Sequence, residues 1–186
     1  LDMIGLAQKG GAVVSFAKIA PAKLDIGAPR VARGGADLLL GCDLVVAAGP
    51  QALPTVQPGR TRAVINTEET FTGAFTQDPD LIFPSEALRA RIREAVGDKA
   101  TDFVDATRIA RSLLGDAIAA NLFLVGYAYQ KGLLPVSAEA ILRAVELNGV
   151  AVAMNRAAFL WGRRTAHDPQ AVAAILQRRE PRAAGM

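Results

Sequence analysis

The feature that most constrains the fold is an alternation of short apolar runs and helical patterns in the first 115 residues. Strand-like runs alternate with segments of helical periodicity that end at glycines such as Gly97 and Gly115. Chains that alternate in this way form a largely parallel sheet with helices on both faces. We therefore predict an α/β fold. The predicted strands lie at residues 13–19, 38–40, 61–66 and 101–105, and the predicted helices at 44–48, 86–96 and 106–114.

Side chains that can cap helices mark where the predicted helices begin. The apolar residues 36–48 fit a strand followed by a helix or the reverse order, and periodicity does not separate the two. If the strand comes first, the carboxylate of Asp43 can cap the helix. The other predicted caps are Ser85, Asp116, Ser137 and Asp168, the last followed by a proline at the first helical position.

The character of the chain changes at Asp116, where the strand-like runs end. We predict residues 1–115 as the α/β part, 116–178 as a helical segment of the same domain, and 179–186 as a tail. The first of these helices is apolar on every side, which predicts burial nearly all round. Asn121 interrupts it, and we interpret Asn121 as a buried amide bonded to a neighbouring backbone.

Composition excludes several classes of function. The 186 residues carry a formal charge of +3 with scattered basic residues, and aromatic residues make up only 5%, so a nucleic-acid surface is not indicated. No apolar run reaches the ~18 residues of a membrane span. The chain has a single cysteine, Cys42, which we interpret as a small buried side chain that fills space in the core. One cysteine cannot hold an iron–sulfur cluster alone. The scarcity of cysteine favours a reducing, cytoplasmic location. The single histidine, His167, excludes a multi-histidine metal site.

The glycine pair near the start of the chain is the main candidate for a functional loop. Gln8, Lys9, Gly10 and Gly11 precede the first predicted strand, where glycines permit close approach of another group and Lys9 supplies a cation. Open α/β sheets bind ligands at strand ends. The alternative is a simple tight turn with a solvated lysine. Another strand end carries Asn66-Thr67, followed by Glu68-Glu69, which either faces a pocket or is a solvated acidic pair.

Five stretches together resemble one family. They read DMIGLAQKGGAVVSFAKIA, ADLLLGCDLVVAAGPQAL, TRAVINT, GDAIAANLFLVGYAYQKGLLPVS and AILRAVELNGVAVAMNRAAFLWGR, and they span most of the chain from residue 2 to about 177. The chain resembles the gamma domain of 2-oxoacid:ferredoxin oxidoreductases, and is most similar to the indolepyruvate ferredoxin oxidoreductases of bacteria. The phrases LAQKGG and ELNGV are the most specific part of this resemblance.

The resemblance implies a Rossmann-like α/β domain within a larger enzyme. Such an enzyme decarboxylates a 2-oxoacid with thiamine diphosphate, passes electrons through iron–sulfur clusters to ferredoxin, and captures the acyl group on coenzyme A. Gamma domains normally open with a strand, a glycine-rich loop and a helix, which do not precede Leu1 in this sequence. We therefore expect a partial domain that self-associates to cover an open sheet edge.

Two functions from different classes follow from these observations. In the first, the chain is a gamma domain that completes the active-site cleft and holds the thiamine-binding domains together, with no catalytic residue and no metal or cofactor of its own. Its cleft-lining candidates are Gln8, Lys9, Gly10, Gly11, Asn66 and Thr67. In the second, it is a stand-alone α/β module that binds a nucleotide or coenzyme A. The 2-oxoacid is not identified by this sequence.

Overall fold

The structure is a computed structural model that describes residues 2–4, 12–22, 26–69 and 83–179. The strands, in chain order, are β1 Asp2–Ile4, β2 Val14–Phe16, β3 Leu38–Gly41, β4 Arg62–Asn66 and β5 Thr101–Val104. The helices are α1 Leu44–Ala47, α2 Ser85–Val96, α3 Ala106–Leu114, α4 Ala120–Gln130, α5 Ala138–Asn148, α6 Val152–His167 and α7 Pro169–Arg179.

The described residues group into two compact units. The first lies within Leu1–Ile65 and Glu69–Phe103, and the second within Asn66–Glu68 and Val104–Met186. Helix α3 belongs to the second unit, although the predicted division assigns it to the α/β part. The division into domains at residue 115 stays a prediction.

A parallel sheet is the centre of the first unit. The strand order is β3-β4-β5, and β3 pairs with β4 in parallel register, with Leu39 opposite Ala63 and Leu40 opposite Val64. Ala63, Val64 and Ile65 are all fully buried, as expected for a strand covered on both faces. Ile65 packs in one core cluster with residues of α1 and α2. The predicted α/β class, with a mostly parallel sheet, flanking helices and a following helical segment, is confirmed.

The first predicted strand does not join this sheet. Strand β2 pairs antiparallel with β1, with Met3 opposite Ser15, and the two form a separate two-stranded sheet. The prediction that residues 13–19 begin the parallel alternation is therefore wrong. Along β2, Val14 is partly buried, Ser15 is exposed and Phe16 is buried. This alternation is typical of an antiparallel strand with one solvent-exposed face.

Most helix caps lie where the sequence predicts them. Ser85 is the exception, because the first intrahelical bond of α2 runs from the Leu88 N–H to the Pro84 carbonyl, which makes Pro84 the N-cap. Ser85 is then the first helical residue, and no side chain caps this helix. The confirmed caps accept backbone N–H bonds at Val46 (Asp43, 2.9 Å), Ala140 (Ser137, 3.2 Å) and Ala171 (Asp168, 3.0 Å). Asp116 accepts from the Ile118 N–H at 2.9 Å and caps the 3-10 turn at 117–119, but not α4 itself, which has no side-chain cap.

Helix α4 is less completely buried than its apolar sequence predicts. Residues 117–119 form a 3-10 turn, so α4 begins at Ala120 and Asn121 lies in its first turn. The Asn121 side chain is exposed there, and its interpretation as a buried amide is wrong. The buried face of α4 is carried by Phe123, Leu124, Gly126 and Ala128.

Helices α4 and α6 pack closely through two glycines. A Cβ placed on Gly126 would lie within 2.8 Å of the Phe159 carbonyl carbon, and one placed on Gly162 would lie within 2.8 Å of the Tyr127 nitrogen. Only hydrogen atoms fit at both positions. Phe123 and Phe159, which are fully buried, flank this crossing. The second unit is therefore organised by a backbone-to-backbone helix contact.

Candidate functional site

The carboxyl end of β4 meets the first turn of α3 within the second unit. Asn66 ends β4 and is only 4% exposed. Its Oδ1 accepts hydrogen bonds from the N–H groups of Ala106 (3.1 Å) and Thr107 (3.4 Å), and its Nδ2 donates to Thr107 Oγ1 at 2.8 Å. The first N–H groups of a helix have no partner within the helix. Asn66 thus satisfies them from a distant part of the chain.

Asp105 caps the same helix from its own N-terminal side. Its Oδ1 accepts from the Arg108 N–H at 3.3 Å, and its Oδ2 lies 2.8 Å from Arg108 Nε. A carboxylate is stabilised at this position by the partial positive charge of the helix N-terminus. The start of α3 is therefore held by two side chains, one adjacent in sequence and one from β4.

Thr67 and Glu68 continue the polar edge beyond β4. The Thr67 N–H donates to the Val104 carbonyl at 3.0 Å, and the residue is partly buried. Glu68 Oε1 lies 3.6 Å from a terminal guanidinium nitrogen of Arg111 on α3. Glu69 is exposed. The ion pair of Glu68 with α3 does not test whether this acidic pair faces a pocket or is solvated, and both interpretations stay open.

This edge carries a balanced set of charges. Glu68 and Asp105 are matched by Arg111 and Arg108, and both arginine side chains are more than half exposed. Exposed ion pairs contribute only about 0–1 kcal/mol, so a guanidinium can exchange its carboxylate for a ligand anion at little cost. Arginine also suits planar anionic groups because its fork donates two parallel hydrogen bonds. The edge therefore presents two exposed guanidinium groups, each paired with a carboxylate of the same edge.

The predicted site residues are only partly described. Gln8, Lys9, Gly10 and Gly11 lie outside the described residues, so the structure does not test the predicted loop. The side chain of Asn66 forms its hydrogen bonds with the first residues of α3, and Thr67 follows it in the chain. The cleft-lining role of all six residues stays a prediction.

Four residues of this edge, Asp105, Thr107, Arg108 and Arg111, were not predicted as part of it. Asp105 carries a signal that sequence reading can use, since an aspartate between an apolar strand and a helical pattern is a typical N-cap. Thr107 and Arg111 carry no comparable signal, because their partners Asn66 and Glu68 lie about 40 residues earlier in the chain.

Cys42 lies at the end of β3 in the first unit, and its interpretation as a buried filler is wrong because the residue is exposed. Neighbouring protein atoms still shield the sulfur from part of the solvent. This desolvation, with a smaller contribution from the Asp43 carboxylate, raises the pKa of the thiol. Because the thiolate is the reactive form, Cys42 is a weak nucleophile at neutral pH.

Alkylation of Cys42 by iodoacetamide is expected to rise with pH at a higher midpoint in the folded chain than in urea. Asp43→Asn should lower the folded midpoint, because it removes the nearby negative charge and keeps an oxygen that can cap α1. Mass spectrometry across a pH series measures both midpoints. Equal midpoints in the folded and unfolded chain would contradict the shielding of the thiol.

The described ranges show neither a metal cluster nor a membrane helix. Within them, no group of three or more histidine, cysteine, aspartate or glutamate side chains is placed to hold a metal ion. No helix in the same part of the chain combines the length and apolar character needed to cross a membrane.

The parallel sheet and its flanking helices are those of a Rossmann-like α/β fold. A family model described as pyruvate ferredoxin/flavodoxin oxidoreductase matches residues 2–165 of this chain. The chain therefore belongs to the pyruvate ferredoxin/flavodoxin oxidoreductase family, which supports the predicted 2-oxoacid:ferredoxin oxidoreductase relationship. No curated protein and no solved structure matches the chain.

Enzymes of this family act as oxidoreductases with ferredoxin as acceptor, and the whole enzyme uses thiamine diphosphate, iron–sulfur clusters and coenzyme A. The residues present here do not fit the cluster, which takes about four thiolates, since the chain has one cysteine. Beside the end of β4, the guanidinium groups of Arg108 and Arg111 on α3 are already paired with the carboxylates of Asp105 and Glu68, so the charge of this edge points to neither thiamine diphosphate nor coenzyme A as its ligand.

Proposed function

We propose that this chain is the gamma domain of a 2-oxoacid:ferredoxin oxidoreductase that acts on indolepyruvate or a related aryl-pyruvate. In this proposal the domain completes the wall of the active-site cleft and holds the thiamine-binding domains together, while other domains carry the chemistry. The observation that supports it best is the family match across residues 2–165. The five stretches that resemble indolepyruvate enzymes support the finer assignment.

A reconstituted enzyme tests this proposal. Catalytic domains purified with and without this chain are compared for ferredoxin reduction with indolepyruvate, phenylpyruvate and pyruvate. We expect activity to require the chain, and the two aryl-pyruvates to be used with higher kcat/KM than pyruvate. Full activity without the chain, together with tight binding of coenzyme A or a nucleotide by the chain alone, would instead support the stand-alone module.

The loop Gln8-Lys9-Gly10-Gly11 is proposed to lie nearest the chemistry. Lys9→Ala in the complete enzyme is expected to lower turnover or apparent coenzyme affinity by up to ~1–3 kcal/mol for one lost charge-assisted bond. Gly10→Val should have the same effect, because the valine side chain would keep a ligand group from approaching the backbone closely. Both variants are assayed by steady-state kinetics beside thermal unfolding.

The matched control is Lys99→Ala, which removes an exposed lysine from the short 3-10 segment before β5. It is expected to leave the kinetics unchanged. If Lys9→Ala and Gly10→Val also leave them unchanged, the loop is a structural turn and the site assignment is wrong.

The proposal extends to the cytoplasmic location and to self-association of the isolated chain. Sedimentation velocity over a range of concentrations measures the second point. A strict monomer at high concentration would remove self-association from the proposal without affecting the gamma-domain assignment.

A further inference from the structure

The ELNGV phrase of the sequence lies at the end of α5 and contains an asparagine followed by a glycine. Asn148 is the last residue of α5, and Gly149 ends the helix in the left-handed conformation with a φ of 71°. The other asparagines, Asn66, Asn121 and Asn155, are followed by threonine, leucine and arginine. Asparagine is a thermally labile residue, and the following residue matters because its backbone nitrogen is the group that attacks the side chain.

The surroundings of Asn148 leave its side chain free to react. Asn148 is exposed, and its side chain forms no hydrogen bond with any residue that the structure describes. A Cβ placed on Gly149 would meet no atom within 4 Å, so there is open space beside the glycine. By contrast, Asn155 Nδ2 donates to the Val150 carbonyl at 2.9 Å, and Asn66 is buried. Asn148 therefore combines an unrestrained amide with a neighbour that has no side chain to obstruct attack.

One hydrogen bond restrains the glycine nitrogen. The Gly149 N–H donates to the Glu146 carbonyl at 3.1 Å. This bond must open before the nitrogen can turn toward the Asn148 side chain. The last turn of a helix opens at little cost in free energy, because helix ends fray. The fold is therefore expected to slow the attack on Asn148 without preventing it.

We propose that Asn148 is a site of spontaneous deamidation, and that the reaction loosens the end of α5. The Gly149 nitrogen loses its proton to a solvent base and bonds to Cγ of Asn148, while the bond from Cγ to Nδ2 breaks and ammonia leaves. Water then opens the resulting succinimide ring. Opening at Cγ gives aspartate, and opening at the main-chain carbonyl carbon gives isoaspartate, whose backbone is one methylene longer. Water is the only co-reactant, and the step is independent of the proposed gamma-domain function.

The Glu146 side chain links the end of α5 to α6, and deamidation would weaken this link. Glu146 accepts hydrogen bonds from Arg143 on α5 at 3.2 Å and from Arg156 on α6. A longer backbone after Asn148 would move the Gly149 N–H away from the Glu146 carbonyl. A carboxylate at position 148 is also unfavourable at the C-terminus of a helix. Both changes destabilise the last turn of α5, which contains Glu146.

Incubation of the chain at physiological temperature and mildly alkaline pH, followed by tryptic digestion and mass spectrometry, tests the proposal. Cleavage after Arg143 and Arg156 gives one peptide that contains both Asn148 and Asn155, so the two asparagines are compared within the same fragment. We expect Asn148 to deamidate at least about tenfold faster than Asn155, which corresponds to about 1.4 kcal/mol of activation free energy. Reversed-phase chromatography separates the aspartate and isoaspartate products.

Three further samples separate the chemistry of the site from the effect of the fold. In urea, where the bond from Gly149 to Glu146 is lost, Asn148 should react faster than in the folded chain. Gly149→Ala should slow the reaction in both states, because the added methyl group obstructs the attack. Asn148→Asp has the new charge without the longer backbone, so the isoaspartate form of the incubated chain should unfold at a lower urea concentration than this variant.

Each part of the inference has an outcome that would overturn it. The site is wrong if Asn148 stays intact in the folded chain over a time in which it is fully converted in urea. Equal rates at Asn148 and Asn155 would also overturn the site. An isoaspartate form that unfolds at the same urea concentration as Asn148→Asp would overturn the loosening of α5.

Discussion

Replacing Gly126 or Gly162 with alanine is expected to cost about 3 kcal/mol of unfolding free energy, at the upper end of the usual overpacking range. The new methyl group would overlap backbone atoms of the facing helix, Phe159 for the first change and Phe123 and Tyr127 for the second. Backbone atoms cannot move aside as a flexible side chain does, so α4 and α6 must separate. Alanine favours a helix over glycine by only about 1 kcal/mol, which does not offset that separation.

Urea unfolding followed by circular dichroism measures both variants. The double variant should cost less than the sum of the single variants, because one separation of the helices relieves both overlaps. Gly27→Ala is the matched control, since an alanine Cβ there meets no atom within 4 Å and the φ of Gly27 does not favour glycine. An unchanged midpoint for both helix variants would contradict the close crossing.

Replacing Asn66 with alanine is expected to cost about 2–3 kcal/mol, because buried polar groups that lose their partners cost about 1–3 kcal/mol each. The change removes the acceptor for the Ala106 and Thr107 N–H groups and the donor to the Thr107 hydroxyl. Asn148→Ala, at an exposed helix end, is the matched control and should shift stability by no more than about 0.5 kcal/mol.

A double-mutant cycle with Thr107→Val isolates the bond between the two side chains. We expect a coupling energy of about 1 kcal/mol, typical of a buried hydrogen bond. The same variants in the complete enzyme distinguish the two roles of Asn66. If Asn66→Ala loses turnover while its unfolding midpoint is unchanged, the result would favour the predicted cleft-lining role. It would count against a purely structural role in which Asn66 satisfies the first N–H groups of α3.

Local chemistry accounts for the parts of the fold that the sequence predicts well. Asp43, Ser137 and Asp168 cap their helices, and Asp116 caps the 3-10 turn before α4, because each accepts a bond from an N–H only two or three residues away. Gly97 and Gly115 end α2 and α3 with positive φ values, which glycine adopts without steric cost. Such interactions depend on neighbours in sequence, so a reader of the sequence can find them.

The candidate site was less accessible to prediction. Asn66 and Thr67 were recognised as a polar strand end, but the partners of this edge come from α3. Thr107 contacts Asn66 from 41 positions away, and Arg111 reaches Glu68 across a similar separation. Nothing in the local pattern around either residue specifies a partner so far along the chain.

The amino-acid sequence by itself determined the alternation of strands and helices, the positions of most caps, and the exclusion of an iron–sulfur cluster held by one cysteine. The tertiary structure alone decided that β2 pairs antiparallel with β1, that Cys42 and Asn121 are exposed, and that Gly126 meets α6. The physical reason is the separation in sequence between the groups that interact. Caps and turns follow from backbone geometry over four residues, whereas pairing, burial and helix crossings depend on which distant surfaces the folded chain brings together.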